Sequence, residues 1–72
     1  MNNLNMAKIQ LNGDPYEIYN GANLNELLNK LKIQKNKVAI ELNGQIIEKK
    51  KYSNVILNKD DKIEIVHFIG GG

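Results

Sequence analysis

The stretch NLNELLNKL, at residues 23–31, constrains the fold more than any other part of the sequence because it predicts one amphipathic helix. Its four leucines recur at intervals of three and four residues and line a single helical face: Leu24, Leu27, Leu28 and Leu31. Asn23 can cap the helix, and Glu26 can reach back to the Asn23 amide. Glu26 and Lys30 are also spaced for an ion pair. A short helix with one apolar face must cover another layer of structure.

A β-hairpin is predicted before this helix. Apolar and polar residues alternate over 8–11 and again over 16–19, and the segment Asn12-Gly13-Asp14-Pro15 interrupts them. Proline has no N–H to donate to a ladder, so we expect Pro15 in the turn or at the start of the second strand.

A second hairpin is predicted after the helix. Residues 38–42 alternate, and Asn43-Gly44 supplies the positive φ angles of a two-residue turn before residues 45–47. The following segment has no clear period, although Val55 and Leu57 are candidates to close the edge of the sheet. Asn58-Lys59-Asp60-Asp61 predicts a turn, so the adjacent acids need no role in metal binding or acid–base chemistry.

The last strand is predicted from Lys62 to Phe68. Side chains change face at each residue of a strand, so Ile63 and Ile65 would face the helix. Val66 and Phe68 would then lie on the opposite face, where exposed apolar side chains indicate a partner. Phe68 could anchor such a partner or fold back over the end of its own sheet.

Two hairpins, one intervening helix and an unpartnered last strand predict an α+β fold of the β-grasp, ubiquitin-like type. We expect a mixed sheet of four to five strands, with the last strand parallel to the first in its middle. The predicted organisation is a disordered leader over residues 1–5, a domain over 6–69 and a flexible glycine tail over 70–72. A chain of 72 residues has room for one small core, so a deep catalytic cleft is not expected.

Several functions are disfavoured by composition. The absence of cysteine excludes disulfides, thiolate metal sites and cysteine-ligated iron–sulfur clusters. A net charge of +2, without a basic stripe interleaved with aromatics, disfavours nucleic acid as a partner. The lysine run at 49–51 is a solvated turn or a weak docking site. Without a long apolar run or a signal segment, we expect a soluble, cytoplasmic protein that is monomeric when free.

Three glycines, Gly70, Gly71 and Gly72, follow the last strand directly. Glycine has no Cβ, so such a segment can enter a channel too narrow for other residues. An α-carboxylate at its end would be ionised at neutral pH, since its reference pKa is about 3.3 to 3.7, and could attack an activated phosphate. The alternatives are a frayed end or a cloning remnant.

The sequence resembles the ThiS family, the sulfur carrier proteins of thiamine biosynthesis. The resemblance is carried by LNGDPYEI, the helix NLNELLNKL, VAIELNGQIIEKKKY and above all DKIEIVHFIGGG, and it covers roughly residues 6–72. It implies that Gly72 is adenylylated with ATP by a ThiF-like enzyme and converted to a thiocarboxylate, a 1-thioglycine. Sulfur from a donor protein would then reach a ThiG-like thiazole synthase.

The same resemblance implies roles for neighbouring residues. Gly70 and Gly71 form the narrow stem that enters partner sites, although the family commonly ends in two glycines, and Val66 and Phe68 form part of a docking face. The chain would be a cosubstrate rather than an enzyme, with no bound cofactor or metal. The small subunit of molybdopterin synthase, a ubiquitin-like protein modifier and a plain interaction domain are the alternatives.

The histidine and the tyrosines are candidates of lower rank. His67 lies beside the tail, but a lone histidine there is more often an edge or surface residue than a proton-transfer group. The tyrosines at 16, 19 and 52 are expected to be hydrophobic fillers whose hydroxyls contact water.

Overall fold

A computed structural model describes residues 5–69 as a five-stranded mixed sheet with one α-helix. The strands are β1 (Met6–Leu11), β2 (Asp14–Tyr19), β3 (Val38–Leu42), β4 (Gln45–Ile46) and β5 (Lys62–His67), with helix α1 at Leu24–Leu31. Two 3₁₀ helices lie at Lys35–Lys37 and Lys49–Asn54. Residues 1–4 of the predicted leader and all of the predicted tail, 70–72, lie outside the described residues.

The strand order is β2-β1-β5-β3-β4, so the last strand of the chain occupies the centre of the sheet. β5 runs parallel to β1 and antiparallel to β3. The predicted β-grasp arrangement is therefore confirmed, with five strands.

Helix α1 begins with the predicted capping box. The Asn23 side chain accepts a hydrogen bond from the Glu26 amide at 2.8 Å, and the Asn23 amide donates to the Glu26 carboxylate at 2.9 Å. The expected pair between Glu26 and Lys30 does not form; instead, the Lys30 ammonium lies 5.5 Å from the centroid of the Tyr16 ring. The helix ends where Lys32 adopts a left-handed φ of 60°.

Both hairpins turn on an Asn-Gly pair. Asn12 and Gly13 have φ values of 48° and 87°, and Asn43 and Gly44 have 52° and 86°, as a two-residue turn of this type requires. The first turn is shorter than predicted because β2 already begins at Asp14. Pro15 is thus the second residue of an edge strand, a position where proline is tolerated.

The core lies between α1 and one face of the sheet. Its fully buried members include Ile9, Ile18, Leu24, Leu27, Ile40, Leu57, Ile63 and Tyr52. Within residues 5–69 no helix is long and apolar enough to cross a membrane.

Tyr52 differs from its prediction. The segment before Val55 was expected to be irregular, but residues 49–54 form a 3₁₀ helix that inserts the Tyr52 ring into the core with no exposed surface. The expectation of a hydroxyl in water is therefore wrong for this residue. Burial raises the pKa of the Tyr52 hydroxyl, and a backbone hydrogen bond from Ile40 opposes that rise.

Candidate functional site

Strand β5 alternates between exposed and buried residues from Lys62 to Val66, and its last residue, His67, is also exposed. Ile63 and Ile65 are buried against the core, while Val66 is 54% and Phe68 is 55% exposed. The open face, which we define as the side of the sheet away from α1, therefore carries Val66 and Phe68, two apolar side chains that shortly precede the glycines in the sequence. This placement agrees with the prediction from strand periodicity.

On one flank, β5 is held along its whole length. It pairs with β3 from Ile63 to His67, and the Phe68 amide, just beyond the strand, donates to the Lys37 carbonyl at 2.9 Å. Backbone pairing on this flank therefore continues to the penultimate described residue. These bonds hold the backbone in register with β3 as far as Phe68.

On its other flank, β5 is paired only near its start. β1 registers with Lys62 and Ile63, and the Asn12 amide donates to the Ile63 carbonyl at 2.9 Å. β1 then ends, and the chain turns away at Asn12 and Gly13. The second half of β5 extends past the end of β1.

The Asn12 side chain continues the ladder where the β1 backbone leaves it. Its Oδ1 accepts a hydrogen bond from the Ile65 amide at 2.7 Å, and its Nδ2 donates to the Ile65 carbonyl at 3.3 Å. One carboxamide thus substitutes for the peptide group that a longer β1 would supply. Sequence reasoning assigned Asn12 only to a turn, because a contact across 53 positions leaves no local signal.

The Phe68 ring is exposed and does not fold back over the sheet. The Lys49 ammonium lies 5.3 Å from its centroid, within the range of a cation–π interaction. One member of the lysine run at 49–51 therefore contacts the open face at Phe68. The surface there is apolar with a cation above the aromatic ring.

The remaining candidate residues from the sequence are His67 and the acidic pair Asp60 and Asp61. His67 is exposed at the end of β5. The Asp61 carboxylate accepts hydrogen bonds from the Asn58 amide at 2.8 Å and from Asn43 Nδ2 at 3.1 Å, which closes the predicted turn. Across residues 5–69, no three histidine, aspartate or glutamate side chains are grouped so that they could hold a metal ion.

The sequence matches a family model along most of its length. The model of the ThiS family covers residues 9–72, which include the three glycines. The sulfur carrier protein ThiS of Bacillus subtilis is 40% identical over 65 residues, an alignment that covers 89% of this chain and 98% of that protein.

Two further relatives share this similarity. A crystal structure of a thiamine biosynthesis protein (ThiS) from Geobacter metallireducens superposes with a TM-score of 0.79 at 32% identity, covering 90% of this chain and 99% of that one. A thiazole synthase of Magnetococcus marinus is 46% identical over 65 residues, which is 90% of this chain. The chain spans only 20% of the length of that synthase.

Proposed function

We propose, since this chain belongs to the ThiS family, that it is a sulfur carrier of thiamine biosynthesis. The observation that carries the proposal is the full-length similarity to the Bacillus subtilis sulfur carrier, together with a family match that extends through Gly72. The protein is then a cosubstrate of other enzymes, working in the cytoplasm as a monomer between encounters.

The proposed chemistry takes place on the α-carboxylate of Gly72. A ThiF-like enzyme joins this carboxylate to the α-phosphate of ATP, so that an acyl–adenylate forms and pyrophosphate leaves. Sulfide released by a donor protein then attacks the carbonyl carbon, so that a C–S bond forms, AMP leaves and a thiocarboxylate remains. The carboxylate needs no general base for the first step because it is already ionised at neutral pH.

Because the proposed tail is narrow, it can carry the Gly72 carboxylate into an enclosed active site. Gly71 and Gly70 lack side chains, so the proposed stem can pass through a narrow entrance. At about 3.3 to 3.6 Å per residue, the segment from Ile69 to Gly72 would reach on the order of 13 Å. The catalytic groups belong to the partner enzyme, and this chain positions the reacting carbon.

Val66 and Phe68 are the proposed docking residues for the adenylating enzyme. Their exposure beside the glycines supports this role, because a partner that receives the tail must also approach this end of β5. An exposed aromatic side chain next to an aliphatic one is a common binding anchor.

The proposed recipient of the sulfur is a ThiG-like thiazole synthase. Support comes from the Magnetococcus marinus protein, which is named a thiazole synthase and contains a stretch similar to nearly the whole of this chain. A carrier-like segment within such a protein is consistent with sulfur transfer between the two partners.

Intact mass spectrometry tests the proposal directly. After incubation with ATP, the adenylating enzyme and a sulfide source, the protein should gain the mass of one sulfur exchanged for one oxygen. A variant that lacks Gly72 should gain nothing, while Ile56→Ala, an exposed substitution outside β5, should react like the unchanged protein. If the enzyme proves active on another carrier but leaves this protein unmodified, the sulfur-carrier function is wrong.

A further inference from the structure

The flank of β5 that faces β1 forms a regular series of hydrogen-bonding positions. The Asp61 carbonyl accepts from the Gln10 amide at 2.9 Å, and the Ile63 carbonyl accepts from the Asn12 amide at 2.9 Å. The amide and carbonyl of Ile65 are then both engaged by the Asn12 side chain. These bonds place the main-chain groups of alternate residues, beginning at Asp61, on the same flank.

His67 is the next residue in this series. The intervening residues point toward β3, since the Lys62 carbonyl accepts from Asn43 and the Phe68 amide donates to Lys37. Strand geometry therefore directs the N–H and C=O of His67 away from β3, toward the flank that β1 has left. His67 also pairs with Val38 in the β3–β5 register, which confirms that the strand is still regular there.

No group within residues 5–69 continues the ladder to His67. Asn12 engages Ile65, and the chain then turns through Gly13 into β2, on the far side of β1. The N–H and C=O of His67 thus form a short open edge, in a residue that is itself exposed. This edge lies immediately before the tail and beside Val66 and Phe68 of the open face.

We propose that the main chain of His67 pairs with an extended segment of the adenylating enzyme, which adds a short strand beside β5 when the tail is bound. This inference rests on the proposed sulfur-carrier function. An extended polypeptide is the matching ligand because it presents a carbonyl and an N–H at the spacing of the vacant positions, as in other cases of strand addition.

Enclosure of the tail by the enzyme gives a physical reason for pairing at His67. A partner that surrounds the last residues removes water from His67, and a buried N–H or C=O without a partner is costly. A strand added at this edge satisfies both groups and fixes the register of the following residues. In the bound state, the distance from the proposed docking residues to Gly72 would then be fixed.

Single-atom replacement in the backbone separates this pairing from side-chain effects. Chemical synthesis of the 72-residue chain with an ester in place of the Val66–His67 amide removes the His67 N–H and keeps every side chain. We expect this variant to bind the adenylating enzyme about five- to tenfold more weakly in titration calorimetry. His67→Ala retains both main-chain groups and should bind as the unchanged protein does.

An ester at the next position is the matched control. Replacing the His67–Phe68 amide removes the bond to the Lys37 carbonyl, so it should lower the thermal unfolding midpoint more than the ester at His67 does. It should weaken binding less than the ester at His67. The two esters are expected to separate fold stability from partner pairing.

Two results would overturn the inference while the proposed function stands. One is unchanged affinity of the His67 ester in a protein that still acquires a thiocarboxylate. The other is an equal loss of affinity in His67→Ala, which would assign the contact to the imidazole. A failure of the unchanged protein to acquire sulfur would instead reject the proposed function, whichever way the esters behave.

Discussion

Asn12 connects the first hairpin to the last strand through one side chain. Its carboxamide bonds both main-chain groups of Ile65, and its own backbone adopts a left-handed φ of 48°. Asn12→Gly keeps the backbone freedom and removes both side-chain bonds. We expect a loss of about 1 to 2 kcal/mol in the free energy of unfolding, because each net hydrogen bond contributes about 0.5 to 1.5 kcal/mol.

Urea denaturation of the Asn12→Gly variant measures this loss. The midpoint should fall while the slope with denaturant stays the same, since the surface exposed on unfolding is unchanged. An unaltered midpoint would show that the carboxamide does not stabilise β5. Asn12 would then be only a turn residue, as the sequence alone suggests.

Tyr52 gives stability a dependence on alkaline pH. Burial raises the pKa of its hydroxyl in the folded protein above the ordinary value of about 10. The folded state therefore holds the proton more tightly than the unfolded state. The contribution of Tyr52 to stability is fully present below about pH 10 and is lost as the pH rises through the folded pKa.

Thermal unfolding between about pH 8 and about pH 11 tests this dependence. Tyr52→Phe should flatten the alkaline decline, although it also removes the hydrogen bond with Ile40 and lowers stability at every pH. Tyr19 provides a comparison, because the pKa of its hydroxyl is raised by burial and by Glu26. If the alkaline decline is as steep in Tyr52→Phe and in Tyr19→Phe as in the unchanged protein, these hydroxyls are not its cause.

Among the secondary-structure elements, those with a period were predictable. The leucine spacing and the Asn23–Glu26 cap identify α1, and alternation identifies the faces of β5. The 3₁₀ helix at Lys49–Asn54 was missed because six residues with one buried side chain show no repeat. Tyr52 is buried because the 3₁₀ helix packs its ring into the core. Such tertiary packing cannot be predicted from the local sequence pattern.

The candidate site also has one feature that the sequence predicts and one that it does not. Exposure of Val66 and Phe68 follows from counting along one strand, and the structure agrees. The open edge at His67 depends instead on where β1 ends relative to β5, since the register places Leu11 beside Ile63. That offset is a property of two strands far apart in sequence, so neither strand alone could reveal it.

Across the whole molecule, the core and the proposed docking residues lie on opposite faces of one sheet. α1 covers the face that contains Ile9, Ile40 and Ile63, while the open face retains exposed apolar side chains at the end of β5. Substitutions on the open face near the tail should therefore affect binding and leave the core intact. This separation makes the docking proposal testable without loss of the fold.

Phe68→Ala and Val66→Ser should each weaken binding to the adenylating enzyme, and Phe68→Ala by about tenfold or more, because aromatic anchors dominate interface energies. Both side chains are more than half exposed, so the thermal unfolding midpoint should change little.

Ile56→Ala is the matched control: Ile56 is 46% exposed but lies at an isolated bridge to Asn23, away from β5. Titration calorimetry against the adenylating enzyme gives the comparison. Equal affinities for Phe68→Ala and Ile56→Ala would show that the enzyme approaches the tail from another side, and the glycines would then be recognised without the open face.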